Sequence, residues 1–307
     1  VASANCGLYC GAKVDFVDID INDYNISIEF LEKKLIDAKK KNKLPKIIIP
    51  VHFAGRPCKM REILKLSKKY KFKVIEDASH ALGAKIYDKK IGACEFSSMT
   101  VFSFHPVKNI TTAEGGVVTT NNKFLTNKLK ILRTHGINKD KREFLTRKAP
   151  PWFFEQTDLG FNYRMNDLEA TLGLSQMNKL DKFIKKRNEI AKYYREKLQD
   201  LPFILPPKDK NIINCYHLFP IRINCKNPKK IRLDLFKFLR KRNILVNVHY
   251  IPIHYHPYFA KMGFKRKDYP YLEKYYSSVI SLPIYPDIKK TQLDKIVKTL
   301  KLYFKKY

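Results

Sequence analysis

Apolar and polar positions alternate along the first half of the chain in two repeating patterns. Short apolar runs at 46–51 (Lys-Ile-Ile-Ile-Pro-Val) and 72–77 (Phe-Lys-Val-Ile-Glu-Asp) predict buried strands, because a strand covered on both faces keeps little polar alternation. Ile28, Leu31, Leu35 and Ala38 recur at helical spacing and predict a helix over 28–41, and 61–70 predicts another. Residues 12–19 alternate enough to predict a first strand. Residues 98–104 and 117–120 predict two more, with a helix over 123–133 behind them. Strand, helix, strand, helix, strand is the order of a doubly wound α/β sheet.

The second half is patterned differently. Residues 138–158 are charged, contain proline and lack a clear period, which predicts a long loop of the kind that contacts partners. Helical spacing returns over 166–180 and again over 181–198. Beyond it, strands are expected near 217–223 and 244–248, with helices near 231–242, 270–277 and 291–303. The simplest division is a large α/β unit over 1–186 and a smaller α+β unit over 187–307.

A chain of 307 residues with 44% apolar content can bury a sizeable core. No apolar run reaches the roughly 18 residues of a membrane span, and no secretory pattern opens the chain, so the cytoplasm is the expected address. The six cysteines, Cys6, Cys10, Cys58, Cys94, Cys215 and Cys225, include no C-x-x-C pair and no zinc-type spacing, so no metal is expected. The formal charge of +32 would suit a polyanion. Its lysines are spread through helices and loops with no nucleic-acid module around them, which leaves an electrostatic footprint and favours small anionic ligands.

Open α/β sheets bind ligands at the carboxyl ends of their strands. That rule brings His52, after the second expected strand, and Asp77, at the end of the next, to one rim, with Lys108 following the fourth. A lysine is almost wholly protonated at neutral pH until its surroundings depress its pKa. Joined to an aldehyde as a Schiff base it becomes an electrophile, and pyridoxal phosphate is such an aldehyde. That cofactor asks for a carboxylate at its pyridine nitrogen, hydroxyls for its phosphate and an apolar face. Asp77, Ser103 and the small residues Ala78 and Ala81 are candidates, and His80 is placed to meet the ring's phenolic oxygen. The plainer reading is open at this point: an Asp at a strand end often caps a helix, and a lysine in a loop is often a solvated charge.

Five ordered strings carry a resemblance: Val-Ile-Glu-Asp-Ala-Ser-His-Ala-Leu-Gly at 74–83, Ser-Phe-His-Pro-Val-Lys at 103–108, Thr-Ala-Glu-Gly-Gly at 112–116, Leu-Arg-Thr-His-Gly at 132–136 and Gly-Phe-Asn-Tyr-Arg-Met at 160–165. With Val-His-Tyr-Ile-Pro-Ile-His at 248–254 and Ser-Leu-Pro at 281–283, the chain resembles the DegT/DnrJ/EryC1/StrS family of sugar aminotransferases along its whole length. It is most similar to the pseudaminic acid branch, which aminates C4 of a UDP-linked 4-keto-6-deoxy-N-acetylhexosamine.

The resemblance implies a fold-type-I pyridoxal-phosphate enzyme that works as a homodimer with glutamate as amino donor and 2-oxoglutarate as its product. By position it makes Lys108 the Schiff-base lysine, Asp77 the pyridinium partner, His80 the group beside the ring oxygen and Ser103 a phosphate ligand. It makes Asn162 a phosphate ligand for the neighbouring subunit, and places Arg164 near the donor carboxylate. His249, Tyr250 and His254 stand in a motif that meets the nucleotide-linked keto sugar or packs in the core. Lys108 separates the chain from the family's dehydratases, which carry histidine there. The segment Val1–Asn5 resembles the middle of a longer family motif, so an N-terminal phosphate-binding helix start and a ring-stacking aromatic are expected before Val1, and weak cofactor binding by the chain alone is expected with them. A catalytically silent relative acting as a regulator and a basic nucleic-acid binder are the competing readings.

Overall fold

The computed structural model describes residues 1–208 and 210–305, without the side chain of Glu143; the expected end of the second unit at 307 lies outside the described residues. Its central sheet has four strands in the order Ile47–Ile48, Lys73–Asp77, Met99–Ser103, Gly116–Thr119. The first three run parallel and the last is antiparallel to its neighbour. This is an α/β fold with a mixed, mostly parallel sheet.

Helices Ile28–Lys40 and Met60–Tyr70 cover one face of the sheet. The first starts where the Ser27 side chain accepts the Phe30 amide at 3.3 Å, and it buries Leu31 and Leu35. The second buries Ile63, Leu66 and Tyr70 and stops at Lys71, which turns left-handed at φ 59°. These residues pack with Ile48, Phe72 and Val74 into one apolar cluster. A second cluster joins Phe102, Ile110, Leu180 and Ile184 to the small residues Ala78, Ala81 and Ala84.

The helix Leu180–Leu198 leaves that cluster and enters a third one with its second half, through Ile190, Tyr194 and Leu198. There, strand Phe219–Ile223 pairs antiparallel with Val279–Leu282 and with Phe203–Ile204. Helices Pro228–Arg240 and Lys290–Phe304 supply Leu235, Leu239, Leu293 and Leu300 to the same core. Helix Pro270–Ser278 is capped across the molecule by the buried Asp18 carboxylate, which accepts the amides of Tyr271 at 2.8 Å and Leu272 at 2.9 Å.

Several expected elements differ. Residues 12–19 make no strand, only the isolated bridge from Ile19 to Ile26, because their polar side chains are used locally and at the Asp18 cap. The 46–51 run shrinks to Ile47–Ile48 plus a bridge from Val51 to Asp77, since Pro50 has no amide to give the ladder. Residues 244–248 also fail to form a strand. The place beside Phe219–Ile223 goes to Val279–Leu282, and Asn247 reaches only a bridge to Ser281. The 138–158 loop contains a short antiparallel pair, Ile137–Asn138 with Glu155–Gln156.

Strand geometry sends successive side chains to opposite faces. Glu76 therefore turns into the core while Asp77 turns out of it. Inside, the Cys58 amide donates to Nδ1 of His52 at 3.0 Å, so Nε2 of that ring carries the proton and donates to Glu76 at 2.7 Å. Thr100 donates to the same carboxylate at 3.1 Å and Ser97 donates as well. Burial alone would raise the Glu76 pKa, but these donors outweigh it and hold the group below the usual carboxylate range.

A lowered folded-state pKa stabilises the protein above the unfolded value and loses that contribution as pH falls through the folded one. Glu76→Gln is expected to cost about 2 kcal/mol at neutral pH, in the range of hydrogen bonds to a charged group. Urea unfolding from about pH 6 down to about pH 3 should show the gap between the two proteins closing. A gap that stays constant would mean that the charge on Glu76 contributes nothing.

Candidate active site

The face opposite Glu76 collects the chemistry. Asp77 ends its strand there, and the register Asp77 to Val101 puts Ser103, two residues on, at the same face. No helix follows Asp77, so it caps none. Its carboxylate accepts the Ser79 amide at 3.1 Å in a tight turn and the Ser3 hydroxyl at 2.6 Å from helix Ala2–Tyr9. Burial would raise its pKa, but the bonds from Ser3 and Ser79 overcome burial and hold it below the usual carboxylate range.

Lys108 follows the Met99–Ser103 strand in a turn closed by its own amide on the His105 carbonyl at 2.9 Å. The adjoining Asn109 is buried and donates to the Leu82 carbonyl at 3.0 Å, which fastens the lysine loop beside the turn carrying His80. The Lys108 amine forms no ion pair among the described residues. Burial depresses its pKa and the Asp77 charge only partly restores it.

His80 lies between these two groups and a wall of rings. Its ring centroid is 4.3 Å from that of His217 and 6.1 Å from those of Phe53 and Tyr250, and its Nε2 is 3.4 Å from the Tyr250 hydroxyl. Burial and the Lys108 charge depress its pKa to about 3, so the imidazole is neutral. Its Nδ1 is buried without a hydrogen-bond partner among the described residues. His249 completes the wall, held by a hydrogen bond of 2.8 Å between its Nδ1 and the Ser281 hydroxyl.

Gly55 makes this arrangement possible. At φ +93° it adopts a backbone open to glycine, and a Cβ there would stand 3.0 Å from the His80 carbonyl and the His217 amide and 2.5 Å from the Cys215 sulfur.

Other expected site residues lie elsewhere. The His52 ring is in the core with Glu76, although its amide bonds to the Asp77 carbonyl at 3.0 Å. His254 is buried on Glu273 at 2.9 Å and packs on Tyr269, which makes it structural. Ala78 and Ala81 are 0% exposed, so they offer no free surface to a ring. Asn162 and Arg164 are exposed on a segment bridged to Thr134, with no bond to Asp77, His80 or Lys108 among the described residues. His217 and Asn109 were not singled out by the sequence: nothing local marks them, since both act through residues far away in the chain.

The family model described as "DegT/DnrJ/EryC1/StrS aminotransferase family" matches residues 1–301. The chain belongs to this family. A protein named UDP-4-amino-4,6-dideoxy-N-acetyl-beta-L-altrosamine transaminase, from Campylobacter jejuni, is 37% identical over 94% of this chain and 72% of its own length. An uncharacterized Methanocaldococcus jannaschii protein, MJ1066, is 41% identical over 98% of this chain and 76% of its own. Among solved structures, Helicobacter pylori PseC, an aminotransferase of pseudoaminic acid biosynthesis, superposes with a TM-score of 0.88 at 33% identity, covering 100% of this chain and 78% of that one.

The DegT-family protein is accordingly a pyridoxal-phosphate-dependent aminotransferase. The residues present fit that cofactor. A half-buried ionised carboxylate, an amine with a depressed pKa and no ion pair among the described residues, and a buried imidazole nitrogen without a hydrogen-bond partner among them lie at or just beyond the ends of neighbouring strands.

Because the Asp77 charge supports protonation of Lys108, Asp77→Asn is expected to lower the Lys108 pKa further. Reductive ¹³C-methylation of the cofactor-free protein, followed by NMR titration, reads this directly. A Lys108 pKa that rises or stays fixed in the variant would show that the two groups are not coupled.

Proposed function

We propose that this enzyme transfers the amino group of glutamate to C4 of a UDP-linked 4-keto-6-deoxy-N-acetylhexosamine. The observation that carries the reading is Lys108, its pKa depressed by burial, standing within the electrostatic reach of the ionised Asp77. The names of the C. jejuni relative and of PseC support the sugar, and the higher identity to a relative with no named substrate makes the nucleotide sugar a point to test.

The bound cofactor would supply an electron sink for carbanion chemistry at the amino donor's α-carbon. Lys108 would hold it covalently, and Asp77 would keep its ring nitrogen protonated. Nζ of Lys108, when free, would serve as the acid–base group that takes up and returns the α-carbon proton. His80, neutral and with a free Nδ1, would meet the ring oxygen. Ser103 would meet the phosphate. Tyr250 and His249, which stand beside His80, would meet the keto sugar.

Asn162 stands in a stretch with strongly exposed apolar side chains: Leu159 at 90%, Tyr163 at 74%, Leu168 at 85% and Leu174 at 71%. Exposed apolar side chains in such number along one stretch suit association with a second copy. In this reading Asn162 and Arg164 serve the partner's site, and residues 1–186 form the cofactor unit beside a smaller unit over 187–307. No helix among the described residues is long and apolar enough to cross a membrane.

Borohydride reduction and peptide mapping should place a pyridoxyl group on Lys108, and Lys108→Ala should lose both label and turnover, the latter by about 10²-fold or more. Label on another lysine would sink the assignment. A panel of UDP- and dTDP-linked 4-keto sugars with glutamate should single out the UDP-N-acetylhexosamine, and equal rates across the panel would overturn that substrate.

A further inference from the structure

His217 enters the site from the other end of the chain, and the reaction scheme above leaves it unused. Its ring lies 4.3 Å from His80 at an interplanar angle of 38°, it is 6% exposed, and its Nδ1 is buried without a hydrogen-bond partner among the described residues. Behind it, Arg187 of helix Leu180–Leu198 is 5% exposed and donates through Nη1 to the carbonyls of Tyr216 at 3.0 Å, His217 at 3.4 Å and Ile284 at 2.9 Å. No carboxylate pairs with that guanidinium among the described residues. The backbones of His80 and His217 are drawn together at Gly55, and the Cys215 thiol donates to the His80 carbonyl at 2.9 Å.

This arrangement is costly if its only purpose is to fill space. A buried imidazole nitrogen without a partner and a buried cation without a counter-ion both lose solvation that an apolar ring and an apolar stem would never have had. The cost is concentrated against His80, which stands between the wall of rings and the Asp77 turn.

We propose that His217, clamped by Arg187 through the backbone, is a positioning residue that fixes the His80 ring beside the Lys108–Asp77 pair. The proposal rests on the aminotransferase reading for its catalytic consequence, and on the packing alone for its structural one. The charged and titratable groups facing the two rings are Asp77, Lys108, His249 and Tyr250 on the site side and Arg187 and Cys215 behind. Burial holds both imidazoles neutral, so a loosened His80 becomes easier to protonate.

The test uses ¹³C-histidine-labelled protein without cofactor, with the His80 signal identified by its loss in His80→Gln. His217→Ala opens the stack to water and should move the His80 titration up by about one pH unit or more, whereas His217→Phe keeps the ring and should leave it in place. With cofactor and substrates, His217→Ala should lose about 10- to 100-fold in kcat with little change in KM, and His217→Phe should recover most of it. An unmoved His80 titration in His217→Ala overturns the proposal. A shift in both variants also overturns it, because the imidazole would then act through its nitrogen rather than by position. These titrations need no cofactor, so a failure here is distinct from a missing pyridoxyl label on Lys108, which would overturn the aminotransferase reading instead.

Discussion

Two adjacent carboxylates on one strand, Glu76 and Asp77, organise this protein because the strand's period of two sends them to opposite sides. Glu76 takes the core side and gathers His52, Ser97 and Thr100, tying the central strand to its neighbour and to the turn after Val51. A buried charge tolerates little displacement once its donors are placed. That fixed inner network sets the position of Asp77 on the outer side, and the cofactor face is laid out from it.

The outer face is assembled by short tethers from distant segments. Ser3 reaches Asp77 from the first helix, Asn109 ties the lysine loop to the Leu82 carbonyl, and Cys215 and Gly55 bring the second half of the chain against the His80 turn. Each tether is a hydrogen bond or a close backbone approach rather than an apolar contact. The side chains they hold, Asp77, Lys108 and His80, have pKa values shifted in the directions their chemistry needs: an ionised acid, a more easily deprotonated amine and a neutral imidazole. The large positive charge is carried elsewhere, on exposed lysines, several of them paired with acidic neighbours at the surface. Such pairs contribute little to stability.

Helical segments were legible from spacing alone, with 28–41 and 61–70 expected and Ile28–Lys40 and Met60–Tyr70 found. Strands were less so. The alternation at 12–19 found no partner, and Val279–Leu282, which pairs along its whole length with Phe219–Ile223, went unmarked beside a helix. A helix satisfies its backbone within its own sequence, so its pattern is self-sufficient. A strand exists only where another strand accepts its hydrogen bonds, and that partner can be anywhere in the chain.

The same division holds for the site. By itself the sequence determined the local chemistry: a lysine after a hydroxyl-bearing strand, an Asp at a strand end, a histidine three residues on, and family motifs in order around them. Tertiary structure decided which histidines face that chemistry. His52 and His254 sit in promising strings, yet each is buried on a glutamate, while His217, unremarkable in its string, stacks on His80. The reason is that a side chain's role depends on which partners pack against it, and those partners come from other segments of the chain, as far apart as His80 and His217, beyond the reach of any local pattern.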